Sequence, residues 1–436
     1  MILHPHFDTN EQGHLTVGSA DTVALAKEYG TPAYILDENV IRENCRTYLR
    51  AARAAFGKDA LPLYASKALS FTAVYKIVNE EGLGIDCVSG GELYTAKNAG
   101  FPAERIYFHG NNKTDADLRL ALEMGVGTVV VDNEEELCAL GTLAAAEGRR
   151  QRILLRITPG IDPHTHRAIM TGNVDSKFGS AIVTGQALTI TERALATDGV
   201  ELVGFHCHIG SQIFDVEPFR DAAGIMLKFI ADVKAATGFE AAELNLGGGL
   251  GVRYTEDDPH VDYTAAVAEI GAIVREGAAR YGVTMPRVIL EPGRSLVAAA
   301  GVTLYTVGSV KEIPGFRNYV SVDGGMPDNP RYALYQSRYT VCIADRADAP
   351  RDYRATVAGR CCESGDLIGE DMPLQRPHRG DTLAVLCTGA YNYSMASNYN
   401  RLPRPPVILV RDGKARLAVR RETFADLVRL DVTETE

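Results

Sequence analysis

Reactive side chains recur along this chain at one kind of position, directly after a short apolar run. Lys67 and His208 each follow such a run, a glycine run occupies 247–249 after another, and Glu291 and Arg294 follow a fourth. A lysine amine can bond covalently to an aldehyde, and glycine amides beside a helix start can hold a phosphate. The set therefore predicts an enzyme that holds an aldehyde cofactor with a phosphate tail, with Lys67 as its covalent anchor.

The apolar runs predict strands, because continuous apolar character suits strands that are buried on both faces. Amphipathic stretches between them predict helices. Eight strands alternating with helices over about 230 residues predict a (β/α)8 TIM-like barrel, an α/β fold of about 250 residues with its active site at the C-terminal ends of the strands. An open doubly wound sheet is the alternative, although it usually has fewer strands. The predicted strands are 61–65, 84–88, 105–108, 127–131, 153–157, 202–207, 243–246 and 288–291.

Further polar residues lie at the same ends of the predicted strands. Asp86 lies near the end of the second strand, His109 follows the third, and Arg156 lies near the end of the fifth. Random surface polarity would not select one rim of a barrel. The convergence therefore predicts an active site there.

The composition changes after Ser295. Runs rich in Val, Thr and Tyr, separated by short polar turns, predict a β-rich second domain. A strand candidate at 14–17 lies near the start of the chain, and we expect that segment to join the second domain. The predicted domains are an N-terminal segment at 1–32, the barrel at 33–295 and the C-terminal β-domain at 296–436.

Composition narrows the classes of partner and location. The chain has 436 residues and a net charge of −11, which argues against a nucleic-acid partner, since phosphate contacts need clustered Lys and Arg. No apolar run approaches the roughly 20 residues that span a bilayer, and no secretory signal is visible at the start. The eight cysteines form no CxxC pair. We therefore expect reduced thiols, a cytoplasmic location and no membrane partner.

Two histidine pairs raise the possibility of a metal site. His206 and His208 share one face of a strand, and His164 and His166 have the same spacing. Neither pair has an acidic or histidine companion at the spacing of a zinc site. We predict no metal, a stacking role for His208 and a packing role for His206.

The other residues also have simpler interpretations. Lys67 could be an exposed lysine, although its place after a buried strand favours a desolvated amine. The glycine run at 247–249 could be a flexible turn, and Glu291 could form a structural ion pair with Arg294.

The motifs taken together resemble the fold-type III pyridoxal-phosphate decarboxylases, the relatives of alanine racemase and eukaryotic ornithine decarboxylase. The resemblance extends from about residue 30 to residue 400. It implies pyridoxal 5'-phosphate as the cofactor, a binding domain at 33–295, and a homodimer whose active sites are shared between subunits. The motifs that carry it are Tyr64–Ala68, His109–Lys113, His208–Ser211, Gly247–Gly249, Glu291–Arg294, Asp323–Tyr335, Cys362–Asp366 and Gly389–Asn400.

The resemblance also implies a role for each matched residue. Lys67 would bond to the cofactor, His208 would stack on its ring, and Glu291 would face the ring nitrogen. Cys362, contributed by the partner subunit, would be the proton donor, and the adjacent Cys361 is the alternative. The implied cofactor-binding residues are Lys67, Asp86, Arg156, His208, Ser211, Gly248, Gly249, Glu291, Gly293, Arg294 and Tyr391, and the implied substrate-binding residues are Arg294, Arg331, Tyr335, Glu363 and Tyr391.

The implied reaction converts meso-2,6-diaminopimelate to L-lysine and CO2, the last step of lysine biosynthesis. Glu363 and Arg331 carry charges opposite to those of the ammonium and carboxylate at the far end of that substrate. A decarboxylase acting on ornithine, arginine or a carboxylated polyamine would not need Arg331 and Tyr335 to hold a second carboxylate. A non-catalytic homologue would be expected to lack Lys67 or Cys362, and a metal hydrolase on the same barrel is a third alternative.

Overall fold

The computed structural model describes residues 3–161 and 175–432. The chain divides into two compact units. The first, here called the barrel unit, comprises Asn44–Gly251 and His260–Ser295. The second, here called the β-unit, comprises Met1–Glu43, Val252–Pro259 and Leu296–Glu436. Among the described residues, no helix is both long enough and apolar enough to cross a membrane.

From residue 33 to residue 297 strands and helices alternate, except where two strands follow each other at Gln151–Thr158 and Ser180–Ala181. The strands are β1 (Asp8–Thr9), β2 (Leu15–Val17), β3 (Ala20–Asp21), β4 (Ala33–Asp37), β5 (Leu63–Ala65), β6 (Gly84–Cys87), β7 (Ile106–Phe108), β8 (Thr128–Val131), β9 (Gln151–Thr158), β10 (Ser180–Ala181), β11 (Val200–His206), β12 (Glu243–Asn245), β13 (Arg287–Ile289), β14 (Gly301–Ile313), β15 (Arg317–Val322), β16 (Val341–Ile343), β17 (Tyr353–Ala358), β18 (Leu367–Leu374), β19 (Thr382–Leu386), β20 (Val407–Arg411) and β21 (Lys414–Val419). The helices are α1 (Thr22–Tyr29), α2 (Glu38–Phe56), α3 (Thr72–Glu80), α4 (Gly90–Asn98), α5 (Asp115–Met124), α6 (Glu134–Ala146), α7 (Gln186–Ala196), α8 (Glu217–Thr237), α9 (Tyr263–Tyr281), α10 (Arg294–Val297), α11 (Arg331–Tyr335) and α12 (Phe424–Val428).

The barrel unit is built on one parallel sheet with the order β13-β12-β11-β9-β8-β7-β6-β5. The first and last strands meet, because the Leu63 amide donates to the Leu290 carbonyl at 2.8 Å and the Ala65 amide donates to the Pro292 carbonyl at 3.1 Å. This nearly closed ring of eight strands confirms the predicted (β/α)8 barrel. One side chain from each of six strands fills its interior: Leu63, Tyr107, Val130, Leu154, Val203 and Ile289.

Local sequence signals set where the helices begin and end. Thr114 and Asp117 form a reciprocal capping box at the start of α5, which satisfies backbone donors that the first turn leaves unpaired. Gly125 ends the same helix in the left-handed conformation, a position that glycine occupies without a steric penalty. The loop between β7 and α5, which carries His109 and Lys113, is therefore anchored at its C-terminal end.

The β-unit contains a sheet with the order β18-β17-β15-β14-β4-β20-β21, extended by β19 on β14 and by β16 on β19. Strand β4 runs antiparallel to β14 and parallel to β20. The N-terminal part of the chain therefore joins the C-terminal β-rich part, as the predicted fold class states. Residues 33–37, predicted to lie in the barrel, instead pair in this sheet, where all five of their side chains are buried. The β-unit also takes in the residues up to Glu43 and the segment Val252–Pro259.

Candidate active site

The carboxylate of Glu291 is contacted by three side chains on the barrel rim. It follows β13 and is 7% exposed. Asn245 Nδ2 donates to Glu291 Oε1 at 2.7 Å, and His206 Nε2 lies 3.2 Å from Oε2. His109 Nε2 lies 2.9 Å from Oε1. The ends of β7, β11 and β12 thus each contribute one side chain to the same carboxylate.

These contacts favour the ionised form of Glu291. Burial by itself would raise the pKa of this carboxyl, but His109 and His206 hold that pKa well below its usual range. Burial lowers the pKa of His206 to about 4, so its ring is neutral at pH 7 and can donate one N–H. The site therefore presents a fixed anion inside the barrel rim.

Asp86 and Arg156 lie on the same rim. Burial, together with the charge of Glu291, raises the pKa of Asp86 to about 6, against the opposing influence of His109. Asp86 Oδ1 has no hydrogen-bond partner within the described part of the chain. The Arg156 guanidinium lies 4.2 Å from the centre of the Phe178 ring, and burial lowers its pKa.

The segments 210–211, 247–249 and 291–294 form a cradle. Its glycine turn, at 248–249, has no room for side chains. Arg294 Nε and Nη2 donate to Ser211 Oγ at 3.2 and 2.9 Å. A Cβ on Gly248 would lie 2.1 Å from the Glu291 carbonyl oxygen, and one on Gly249 would lie 2.6 Å from the Gly210 carbonyl oxygen. Side chains are therefore excluded from this turn, which leaves its backbone open to an anion beside the Arg294 guanidinium.

Lys67 lies on a short 3-10 turn directly after β5. It is exposed, while Ser66 and Ala68 on either side of it are buried. The residues of this chain therefore do not shield the Lys67 amine from water, contrary to the predicted desolvation. Burial and the Lys67 charge together lower the pKa of His208 well below its usual value. The ammonium of Lys67 therefore acts electrostatically on the ring that is predicted to stack on the cofactor.

The β-unit carries the other predicted site residues, and Arg331 is the most unusual of them. It begins α11, is 5% exposed, and has no carboxylate within ion-pair distance among the residues that the structure describes. Its guanidinium carbon lies 5.5, 5.9 and 5.8 Å from the ring centres of Tyr254, Tyr339 and Tyr391. Arg331 Nη1 also donates to the Tyr339 hydroxyl at 3.0 Å. We call this group the tyrosine cage. Tyr335, at the end of α11, is half-buried.

The loop with the two adjacent cysteines distinguishes them. Asp366 accepts hydrogen bonds from the backbone amides of Met326 and Cys361 at 2.6 and 2.7 Å. Burial and Asp366 raise the pKa of the Cys361 thiol to about 12. Cys362 and Glu363 are exposed. The accessible thiol of the pair is therefore that of Cys362.

Comparison with known proteins assigns these features to a family. A family model described as the pyridoxal binding domain of pyridoxal-dependent decarboxylases matches residues 41–298. The chain belongs to the pyridoxal-dependent decarboxylases. Diaminopimelate decarboxylase from Bacillus subtilis is 50% identical and covers 99% of this chain and 98% of its own length. The enzyme of the same name from Halalkalibacterium halodurans is 49% identical over 99% and 98%. The crystal structure of diaminopimelate decarboxylase from M. jannaschii in complex with L-lysine has a TM-score of 0.91 and 34% identity, covering 100% of this chain and 99% of its own.

The barrel rim fits the cofactor of this decarboxylase family. Pyridoxal phosphate has an aldehyde, a pyridine nitrogen and a phosphate. Lys67 could bond to the first, the anionic Glu291 could face the second, and the cradle around Gly248 and Gly249 with Arg294 could hold the third. The steric exclusion at Gly248 and the unsatisfied Asp86 oxygen are features of this chain that favour such an occupant.

Several residues of this decarboxylase have contacts in the structure that their sequence pattern does not predict. His206, predicted to be a packing residue, contacts the Glu291 carboxylate instead. His109 was placed on the rim without a role, and Asn245, Tyr254 and Tyr339 were not identified. A polar residue within the apolar run at 243–246 was the one available signal for Asn245.

The prediction that no metal is bound stays a prediction. Ligand atoms of His109, His206 and Glu291 lie within 4.8 Å of one another, but the contacts among them already occupy both carboxylate oxygens. The pair His164 and His166 lies outside the described residues.

Proposed function

We propose that this chain decarboxylates meso-2,6-diaminopimelate to L-lysine and CO2 with pyridoxal 5'-phosphate. The observation that carries the proposal is the buried Arg331 in its tyrosine cage. A buried guanidinium without an acidic partner is unfavourable unless an anion reaches it, and the far carboxylate of diaminopimelate is such an anion. The full-length similarity to diaminopimelate decarboxylases supports the same substrate.

Lys67 and Glu291 would bind the cofactor, and Cys362 would transfer a proton. Lys67 would hold the cofactor through its aldehyde, and Glu291 would face the ring nitrogen and favour its protonated form. The bound cofactor would supply the electron sink that decarboxylation needs. Cys362 delivers a proton to the α-carbon.

Specificity would come from the β-unit. Arg331 and Tyr335 hold the far carboxylate of the substrate, and Glu363 holds the far ammonium. A site built to pair a polar group rejects an analogue that lacks this group by a factor of about 10⁴ or more. Ornithine lacks the far carboxylate and is therefore expected to be a very poor substrate.

One assay tests the reaction and its specificity together. The purified protein is supplied with pyridoxal phosphate and then with meso-diaminopimelate or ornithine, and lysine and CO2 are measured. Arg331→Lys keeps the charge but loses the planar fork, so we expect a KM increase of roughly 10- to 200-fold, the equivalent of about 1.5–3 kcal/mol for a hydrogen bond to a charged group. Turnover of ornithine in preference to diaminopimelate would refute the proposal.

We also propose that the protein is a homodimer in which Cys362 of one subunit serves the Lys67 site of the other. Lys67→Ala and Cys362→Ala proteins are each expected to be inactive, but a mixture reassociated from monomers should regain up to about a quarter of wild-type activity, because random pairing makes half of the dimers mixed. No gain in the mixture would mean that both residues act within one chain. The cytoplasmic location and the absence of a nucleic-acid partner remain predictions from composition.

A further inference from the structure

Asn245 connects two parts of the cofactor site that are distant in sequence. It is the last residue of β12 and is fully buried. Its Nδ2 donates to Glu291 Oε1 at 2.7 Å, and its Oδ1 accepts from the Gly247 amide at 2.9 Å. One carboxamide therefore joins the Glu291 carboxylate to the first residue of the glycine run.

A carboxamide can make both contacts at once, because it has a donor nitrogen and an acceptor oxygen. The carboxylate of Glu291 needs a donor, whereas the amide of Gly247 needs an acceptor, and this fixes which way round the Asn245 side chain lies. An aspartate of the same shape would keep the bond from Gly247 but would place a second anion against Glu291. An alanine would leave both groups without this partner in a buried setting.

The position of the bridge matters because its two ends have different targets. On the proposed cofactor binding, Glu291 faces the ring nitrogen and the glycine run holds the phosphate. A rigid ligand that is bound at both ends binds tightly only if the two protein groups, here the Glu291 carboxylate and the glycine run, are held at the separation of those ends.

We propose that Asn245 is a positioning residue that holds Glu291 and the glycine run at the separation that the two ends of pyridoxal phosphate require. It acts through these two partners and does not itself touch substrate. The proposal rests on pyridoxal phosphate being the cofactor, which the family implies.

Asn245 is one of three side chains that contact the Glu291 carboxylate. His206 and His109 also contact that carboxylate, so loss of Asn245 should leave Glu291 ionised. What should be lost is the coupling between the carboxylate and the glycine run. A role in general stability alone would produce no such coupling.

Equilibrium binding to the apo-protein tests this coupling without any measurement of turnover. Pyridoxal phosphate and pyridoxal, which lacks the phosphate, are titrated by absorbance against wild type, Asn245→Ala and Asn245→Asp. We expect Asn245→Asp to bind pyridoxal phosphate roughly 10- to 100-fold more weakly, the range for a lost hydrogen bond to a charged group. We expect Asn245→Ala to lose part of the affinity ratio between pyridoxal phosphate and pyridoxal, because the glycine run loses its anchor.

A double-mutant cycle with Glu291→Gln provides the decisive result. If Asn245 couples the Glu291 carboxylate to the glycine run, Glu291→Gln should weaken the binding of pyridoxal phosphate less in the Asn245→Ala background than in wild type. Effects of the two changes that simply multiply, with an unchanged affinity ratio between the two ligands, would overturn the proposal.

Asn133→Asp is the matched control. Asn133 caps α6, since its side chain accepts from the Glu136 amide at 3.0 Å, and aspartate caps a helix equally well. The same chemical change should leave cofactor affinity within about twofold of wild type there. Failure of wild type to bind pyridoxal phosphate at all would instead refute the proposed function, so the two failures are distinguishable.

Discussion

Replacement of Lys113 by methionine should destabilise the barrel unit by about 3–5 kcal/mol. The Lys113 Nζ donates to Glu136 Oε1 at 2.7 Å, to the Val130 carbonyl at 2.7 Å and to the Gly110 carbonyl at 2.9 Å. The two charged side chains are 1% and 4% exposed. Loss of one partner of a buried ion pair leaves the other charge uncompensated, and this typically costs about 3–5 kcal/mol.

The direction of both pKa shifts shows how strongly water is excluded. Burial lowers the pKa of Lys113 and raises that of Glu136. Burial therefore favours the neutral form of each group if the other is absent. In Lys113→Met, Glu136 is therefore expected to take up a proton more readily, and the loss of stability should be smaller at pH 5 than at pH 8.

Thermal unfolding and a double-mutant cycle measure the effect. For a unit of this size about 1 kcal/mol corresponds to roughly 2–4 °C, so the midpoint for Lys113→Met should fall by about 6–20 °C. Lys113→Met combined with Glu136→Leu should recover part of the loss, since the isolated charge is gone, although two carbonyl oxygens still lack a donor. A decrease below about 1 kcal/mol for Lys113→Met, or strictly additive single effects, would refute this account of the pair.

Three other predictions have equally definite outcomes. Cys361→Ser should retain most of the decarboxylase activity, whereas Cys362→Ser should lose most of it while still binding cofactor. The measurements are kcat and the absorbance of bound cofactor, and the reverse order would assign the proton donor to Cys361. Gly248→Ala should weaken pyridoxal phosphate binding by roughly 5- to 150-fold in an absorbance titration, because overpacking of about 1–3 kcal/mol must be relieved by moving the cradle. Unchanged affinity would contradict the cradle assignment. Asp328 has a pKa raised to about 7 by burial, so its contribution to stability is full below the unfolded value near 4 and is lost as the pH rises through about 7. Unfolding measured from pH 5 to pH 8 should therefore show a decline in wild type that Asp328→Asn largely removes, and parallel curves would count against it.

The barrel was readily predictable from sequence because its strands are buried on both faces. Each leaves a short, nearly continuous apolar run, and the runs at 61–65 and 127–131 lie within two residues of β5 and β8. The strand at 33–37 has the same character, and sequence alone could not say that its partners are residues more than 250 positions away. Pairing across such a distance leaves no local signal.

The site was predictable where a side chain has an unusual type in an unusual place. Lys67, Glu291 and the glycine run meet this condition. Asn245 and His206 do not, because a polar side chain inside an apolar run gives no sign of which partner it meets. Tyr254 and Tyr339 of the tyrosine cage escaped prediction for the same reason, because tyrosines contributed by separated segments are ordinary residues until the fold brings them together.

The pairing of β4 with β14 and β20 also constrains how the chain can be made. Strand β4 is complete early in synthesis, but its parallel partner at Val407–Arg411 is made about 370 residues later, near the end of synthesis. At about 5–20 residues per second, a fully buried apolar segment must wait roughly 20 to 70 seconds for that neighbour. The barrel segment emerges during this interval. A nascent chain stalled before residue 400 could pair β4 with β14 but would leave the other edge of β4 unpaired, which makes it a natural client for a chaperone and a poor candidate for expression as a truncated fragment.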